Sequence, residues 1–267
     1  MTYEKFRREV ERILTEQCRP VTWNEIRASS TKLTQKAPYH VYVQKLQGDI
    51  GLVRFKHSQR TVWALRDWFE EGRFRELLPE KLRLTILAVQ AGYALAANEY
   101  WELKRIYPVD VGLRSWDVIE AGVADYFPEA DRRPESIALE ADETDYLRTV
   151  DGLEDRIRIA EKVAESGEFL HTDAWRGKTV GVTKPRFRCF YFYDGKCQFF
   201  CDQNVCVGHD IEVTDGGEGV EITGDKVYFA LEAAERARGE FIWQKQRVAW
   251  FITAVISLTD PQQRRLL

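Results

Sequence analysis

Phe6, Val10, Ile13 and Leu14 recur three and four residues apart. That spacing predicts one buried stripe on a helix over residues 3–17, stopped by Arg19-Pro20. A second helix is predicted to open at Thr22-Trp23-Asn24-Glu25, where the Thr22 hydroxyl and the Glu25 carboxylate can satisfy each other's exposed backbone N–H groups. Ser29-Ser30-Thr31 reads as the turn that ends it. A third helix, with Pro38 suited to its first position, carries Val43 and Leu46 inward and closes near Gly48. The period then falls to two, so residues 52–56 and 61–65 read as short strands around the polar turn His57-Ser58-Gln59-Arg60.

Beyond residue 66 the pattern again reads as helical. Trp68, Phe69, Phe74 and Leu77 lead to Pro79, and the Leu- and Ala-rich residues 80–106 predict one long helix, in which Gly92 and Ala96 would admit a close neighbour. Residues 115–128 predict a shorter helix, the acidic residues 129–145 with Pro134 an exposed linker, and 153–166 a charged helix. After Gly177 strands return at 179–183, 186–193 and 196–201, with Asp194-Gly195 as a two-residue hairpin signal. Residues 211–213 and 220–222 add strands around the turn-rich Asp215-Gly216-Gly217. Residues 226–258 predict a long C-terminal helix, broken near Gly239, whose apolar stripe (Tyr228, Leu231, Ala234, then Phe241, Ile242, Val248, Phe251, Ile252, Val255) suits packing on the sheet or a homodimer contact. No internal sequence repeat is visible.

The expected fold class is therefore α+β. A first domain spans 1–66. A second spans 67–267, helical over 67–166, β-rich over 177–223 and closed by the C-terminal helix 226–258.

The order helix, helix, helix, strand, polar turn, strand within about 65 residues resembles a winged helix-turn-helix domain. The capped second helix, the third helix closing on Leu46, Gly51-Leu52-Val53-Arg54 and Arg60-Thr61-Val62-Trp63-Ala64-Leu65 carry the resemblance, over about a quarter of the chain. It implies that the third helix enters the major groove and the wing reaches a neighbouring groove or phosphates. The implied DNA contacts are Arg27 and Lys32 beside the turn between helices two and three, Lys36, Tyr39, His40, Gln44 and Lys45 on or near helix three, and Lys56, His57, Gln59 and Arg60 at the wing. Gln44 would pair with adenine edges, and Lys36 and Lys45 would meet phosphates.

Charge fits that assignment. Residues 1–66 carry 13 Lys and Arg against six acids, a net +7, while the rest of the chain is −11. A basic segment joined to an acidic one suits a polyanion partner for the first. With 44% hydrophobic residues and a net charge of −4, global disorder is excluded. The longest apolar run, residues 248–258, is shorter than the roughly 18–20 residues a membrane helix needs, and the charged N-terminus lacks an apolar signal core. A cytoplasmic, soluble protein is expected.

Four of the five cysteines cluster as Cys189, Cys197, Cys201 and Cys206, followed by His209. A two-residue turn at Asp194-Gly195 sets Phe192 opposite Cys197 and sends Cys189 to the other face. Cys197 and Cys201 then share a face about 13 Å apart, too far for one zinc ion. Cys197 reads as a buried apolar residue. Cys201, Cys206 and His209 remain as a candidate metal set, with Cys189, His171 or an acid as fourth ligand and zinc as the metal. A redox-active Cys201–Cys206 pair and plain structural thiols are the alternatives.

No phosphate loop, HExxH or GxSxG is present, and His171-Thr172-Asp173 and His209-Asp210 lie among turns and strands rather than on the helices that metal-dependent HD hydrolases use. No catalytic residue is assigned. The expected function is a transcriptional regulator that binds duplex DNA and uses its C-terminal domain for sensing or dimerisation. The alternatives are an interaction subunit of a larger complex and a DNA-processing enzyme with a metal in the Cys-rich region.

Overall fold

The computed structural model describes residues 1–109, 112–131, 133–171, 178–186, 190–214, 226–235 and 248–259. The expected strand at 220–222, the Asp215-Gly216-Gly217 turn, the break near Gly239 and Cys189 lie outside them. The chain forms two compact units, Met1–Glu80 and Lys81–Leu267. Among the described residues no helix is long and apolar enough to cross a membrane.

In the first unit α1 (Tyr3–Gln17) precedes a two-residue strand β1 (Val21–Thr22), α2 (Trp23–Ala28), α3 (His40–Asp49), β2 (Leu52–His57), β3 (Arg60–Leu65) and the short α4 (Arg66–Glu70). The three strands form an antiparallel sheet in the order β1-β3-β2. Phe6, Val10, Ile13 and Leu14 of α1, Ile26, Val43 and Leu46 of the other helices and Leu52, Phe55 and Trp63 of the hairpin are all buried. The Thr22–Glu25 capping box is complete. The Glu9 carboxylate, buried on α1, accepts hydrogen bonds from Arg12, Ser30 and Lys32 and so ties the loop after α2 to α1.

The second unit is built from sheet. Strands β4 (Lys81–Gln90), β5 (Tyr93–Asn98), β6 (Leu103–Ile106), β7 (Asp117–Asp125) and β8 (Ser136–Thr149) close into a barrel in the order β4-β5-β6-β8-β7. All pairings are antiparallel except β6 with β8. After α5 (Leu153–Val163) the same arrangement recurs. Strands β9 (Val180–Thr183), β10 (Phe190–Tyr193), β11 (Lys196–Phe199), β12 (His209–Val213), β13 (Lys226–Glu235) and β14 (Val248–Leu258) form one sheet in the order β10-β11-β12-β14-β13-β9, with β12 parallel to β14. Taking β9 and β10 as two pieces of one first strand, order and orientation repeat those of the barrel. This is the five-stranded Greek-key plan of OB-type barrels, present twice.

The long helix expected over 80–106 and the helix over 115–128 are therefore corrected to strands, as are residues 136–145 of the expected linker and residues 226–235 and 248–258 of the expected C-terminal helix; residues 236–247 of that helix lie outside the described residues. For the expected helices, burial on both faces is the cause. In β5, Ala94 and Ala96 point into the barrel core while Leu95 and Ala97 join a second core outside it. In β13, Phe229, Leu231 and Ala233 face one core, and Tyr228 and Ala230 the other. A strand apolar on both sides loses its alternation, and an Ala- and Leu-rich run then reads as a helix. Gly92, with φ of +86°, turns the chain from β4 to β5 instead of receiving a helix. Of the apolar stripe behind the homodimer expectation, Tyr228, Leu231 and Ile252 are buried within the unit, and Phe241 and Ile242 lie outside the described residues.

One acid interrupts β13. Glu232, 8% exposed, meets Arg105 of β6 at 3.3 Å and also pairs with Arg133; both guanidinium groups reach Asp131 as well. Removing one partner of a buried ionic cluster strands the others. Glu232→Ala is expected to cost about 3–5 kcal/mol, read as a lower unfolding midpoint in denaturant.

A second expectation concerns acid. The hydrogen bond from Arg12 foremost, then that from Ser30, holds the Glu9 carboxyl near a pKa of about 2. The Thr22 backbone N–H foremost does the same for Glu25. Depressed carboxylates contribute stability that is fully present above about pH 4.5 and is lost as pH falls toward 2. Glu9→Gln should lower the melting temperature at pH 7 and shrink the difference between melts at pH 7 and pH 3. An unchanged pH dependence would contradict this role.

Candidate nucleic-acid interface and cysteine–histidine cluster

The β2–β3 hairpin sets Arg54 opposite Trp63 and His57 opposite Arg60, and Ser58 and Gln59 both take positive φ, 48° and 65°. Those angles match the twist of a two-residue hairpin turn although neither residue is glycine. Residues 56–60 are all exposed, so Lys56, His57, Gln59 and Arg60 stand together at one tip. Lys36, Tyr39 and His40 are exposed near the start of α3, with Tyr39 57% and Val41 54% exposed. Tyr42 makes edge contacts with Tyr39 and Tyr3, which fixes this end of the helix against α1.

The other expected contacts fare differently. Arg27 is half-buried on α2, and Lys32 is exposed but spends its ammonium on Glu9 at 3.0 Å. Lys45 is half-buried with its ammonium 5.2 Å from the Tyr3 ring centre. Gln44 is 7% exposed, packed inward beside Val43, and is not presented to a base edge.

A feature that sequence reasoning missed lies on the β10–β11 hairpin. Tyr191, 66% exposed, and Tyr193 stack with ring centres 5.8 Å apart and planes 14° from parallel. Tyr193 donates to Asp210 at 2.8 Å, and Lys196 lies 3.7 Å from the same carboxylate. Strand alternation, FYFY with Phe190 and Phe192 turned inward, was the available signal.

The cysteines sit as the hairpin register requires. Phe192 pairs with Cys197, and Cys197 and Cys201 are fully buried in the core beneath the sheet. Cys201 follows β11, Cys206 lies in the loop, and His209 opens β12. His171 ends a short 3-10 turn, Gly167–His171. One ligand atom from each of His171, Cys201, Cys206 and His209 lies within 4.8 Å of every other. His171 Nε2 is 3.2 Å from the Cys201 sulfur, and the two imidazole rings are 4.8 Å apart. Burial pushes the Cys201 thiol up to about 11, with a further rise from Cys206. Burial and the neighbouring His171 bring His209 down to about 4. Asp202 is not in the set: its carboxylate accepts from the Gly167 backbone N–H at 2.8 Å and from Ser166.

No family model matches the chain, and no curated protein matches it. A murine DNA-binding protein solved with double-stranded DNA superposes over 68% of this chain and all of its own, at 7% identity and a TM-score of 0.33. A fit that loose carries no argument about fold or function.

Gly167 gives the cluster its floor. A Cβ there would stand 2.3 Å from the Cys201 Cβ and 2.9 Å from its sulfur. Gly167→Ala must displace Cys201 and is expected to cost about 1–3 kcal/mol as overpacking. Faster labelling of the Cys201 thiol in the folded variant, with a lower melting temperature, would report the displacement; native labelling rates would contradict it.

Proposed function

We propose that the chain binds nucleic acid, and that its first unit grips duplex DNA in the manner of a winged helix. The supporting observation is the β2–β3 tip, where five consecutive exposed residues include Lys56 and Arg60 on a turn of fixed geometry. Cations on a rigid projecting hairpin suit phosphate oxygens, which carry sequence-independent affinity. The exposed start of α3, with Tyr39 and His40, offers the adjoining contact for a groove. Gln44 has no part in this reading. A regulator whose second unit senses a ligand or partner is the finer form of the proposal.

A second reading rests on the stacked Tyr191–Tyr193 pair on a sheet of OB-type order. Exposed aromatic rings on such sheets hold unpaired bases by stacking. Among the described residues, the exposed Asp210 and Glu212 near this pair, with the Lys196 ammonium 3.7 Å from the Asp210 carboxylate, suit an anionic backbone less well than the β2–β3 tip does, so the duplex reading stands first.

Fluorescence anisotropy of the full chain with random duplex DNA and with oligo(dT), across a salt series, separates the two. Duplex binding should fall steeply with salt, and Arg60→Ala should weaken it on all sequences while reducing the logarithmic salt slope by about one. Binding to oligo(dT) alone, lost in Tyr191→Ala, would favour the single-strand reading. Absence of binding to either at low salt would refute the proposal.

A further inference from the structure

The loop of residues 200–208, between β11 and β12, contains no strand or helix. Val205 and Val207 are 76% and 92% exposed, so its apolar side chains do not anchor it to the core. From within, Cys201, buried at one end, and Cys206 pack against the core, and Asp202 and Gln203 bond to Ser166 and Gly167. Both sulfurs converge on two imidazoles that belong to other elements, His171 from the 3-10 turn and His209 from the first residue of β12.

We infer that this loop is a structural zinc site, with His171, Cys201, Cys206 and His209 as its four ligands. A tetrahedral zinc ion with bonds of about 2.0–2.3 Å requires donor atoms about 3.3–3.8 Å apart. The four donors all fall within 4.8 Å of one another, and His171 Nε2 and the Cys201 sulfur are at 3.2 Å. Small side-chain rotations close the remaining distance, with no movement of strands. His209 Nε2 is buried and has no hydrogen-bond partner among the described residues, an orphaned donor-acceptor of the kind that a metal would satisfy.

Donor chemistry selects the ion. Two thiolates and two imidazoles suit zinc, whereas calcium and magnesium call for carboxylate and carbonyl oxygens. The Asp202 carboxylate, next to Cys201 in the chain, is engaged by the Gly167 N–H and the Ser166 hydroxyl. Four protein ligands leave no position for water, so the site would fix structure and would not activate a nucleophile. Exposure of His171 provides the way in. Once bound, the ion ties the loop to the end of the 3-10 turn and to β12, adding to the hydrogen bonds by which Asp202 and Gln203 already hold the loop to Ser166 and Gly167. The inference stands apart from nucleic-acid binding and does not depend on it.

The decisive measurement is metal analysis of the full chain, purified in reductant without chelator, followed by cobalt exchange. One zinc per chain and negligible iron are expected. Cobalt(II) in its place should give the visible d–d bands and sulfur-to-metal charge transfer of a tetrahedral thiolate site. His171→Ala, altered at an exposed position, should keep its circular dichroism yet surrender zinc to a competing chelator that the unaltered chain resists. Cys18→Ser, at an exposed thiol remote in sequence, should retain it. Four results would each overturn the assignment: no zinc uptake by correctly folded protein supplied with the ion, iron in place of zinc, a Cys201–Cys206 disulfide in the native protein, or unaltered zinc retention in His171→Ala.

Discussion

Strand β13 runs between two apolar layers. On one side Val227, Phe229, Leu231 and Ala233 pack with Cys197, Phe199 and Ile252 beneath the six-stranded sheet. On the other, Tyr228 and Ala230 pack with Leu87, Leu95 and Leu103 from the outer wall of the barrel and with Ile159 and Val163 of α5. The barrel's own interior, around Ile86, Ala96, Ile119 and Ile137, forms a third layer beyond. Apolar burial is the largest favourable contribution to folding, and here a single strand shares it between both halves of the unit. Glu232 gives the shared layer its register, because a buried carboxylate is tolerated only where Arg105 and Arg133 meet it.

This double burial separates the parts of the fold that can be read in the sequence from those that cannot. Elements with one wet face were legible: the α1 stripe, the Thr22–Glu25 capping box and the Asp194-Gly195 hairpin with Phe192 opposite Cys197. For strands with two dry faces the period-two signal disappears. β5, YALAAN, then offers only composition, and alanine and leucine favour the wrong answer. The acidic stretch read as a linker becomes part of β8 because exposed Glu140, Asp142, Glu143 and Asp145 occupy the half of a long strand that extends into solvent. The recurrence of one topology left no sequence repeat, since core positions in the two copies need only be apolar.

The candidate sites divide along the same line. Cys201, Cys206 and His209 were within reach of a spacing argument, being close in the chain. His171 lies 30 residues from Cys201, and only the packing of the 3-10 turn under the sheet selects it over Cys189 or an acid. At the tip of β2–β3, sequence alone located a compact basic turn because every residue there is exposed. It misjudged Gln44, where helical periodicity fixes which residues share a face but not which face turns inward. The two OB-type halves also differ in what they leave open. The barrel's β4–β5 wall is consumed by the shared core, whereas the β10–β11 hairpin keeps its tyrosine face in solvent.

Native-state hydrogen exchange across residues 81–259 tests the shared layer most directly. If β13 couples both halves, the amides of residues 228–232 should be the slowest in the unit, and the inner strands β4 and β5 should exchange with the same free energy and denaturant dependence as β13 and β14. A barrel that opens at markedly lower free energy, while β13 and β14 stay protected, would show that the two halves fold separately and would contradict the account.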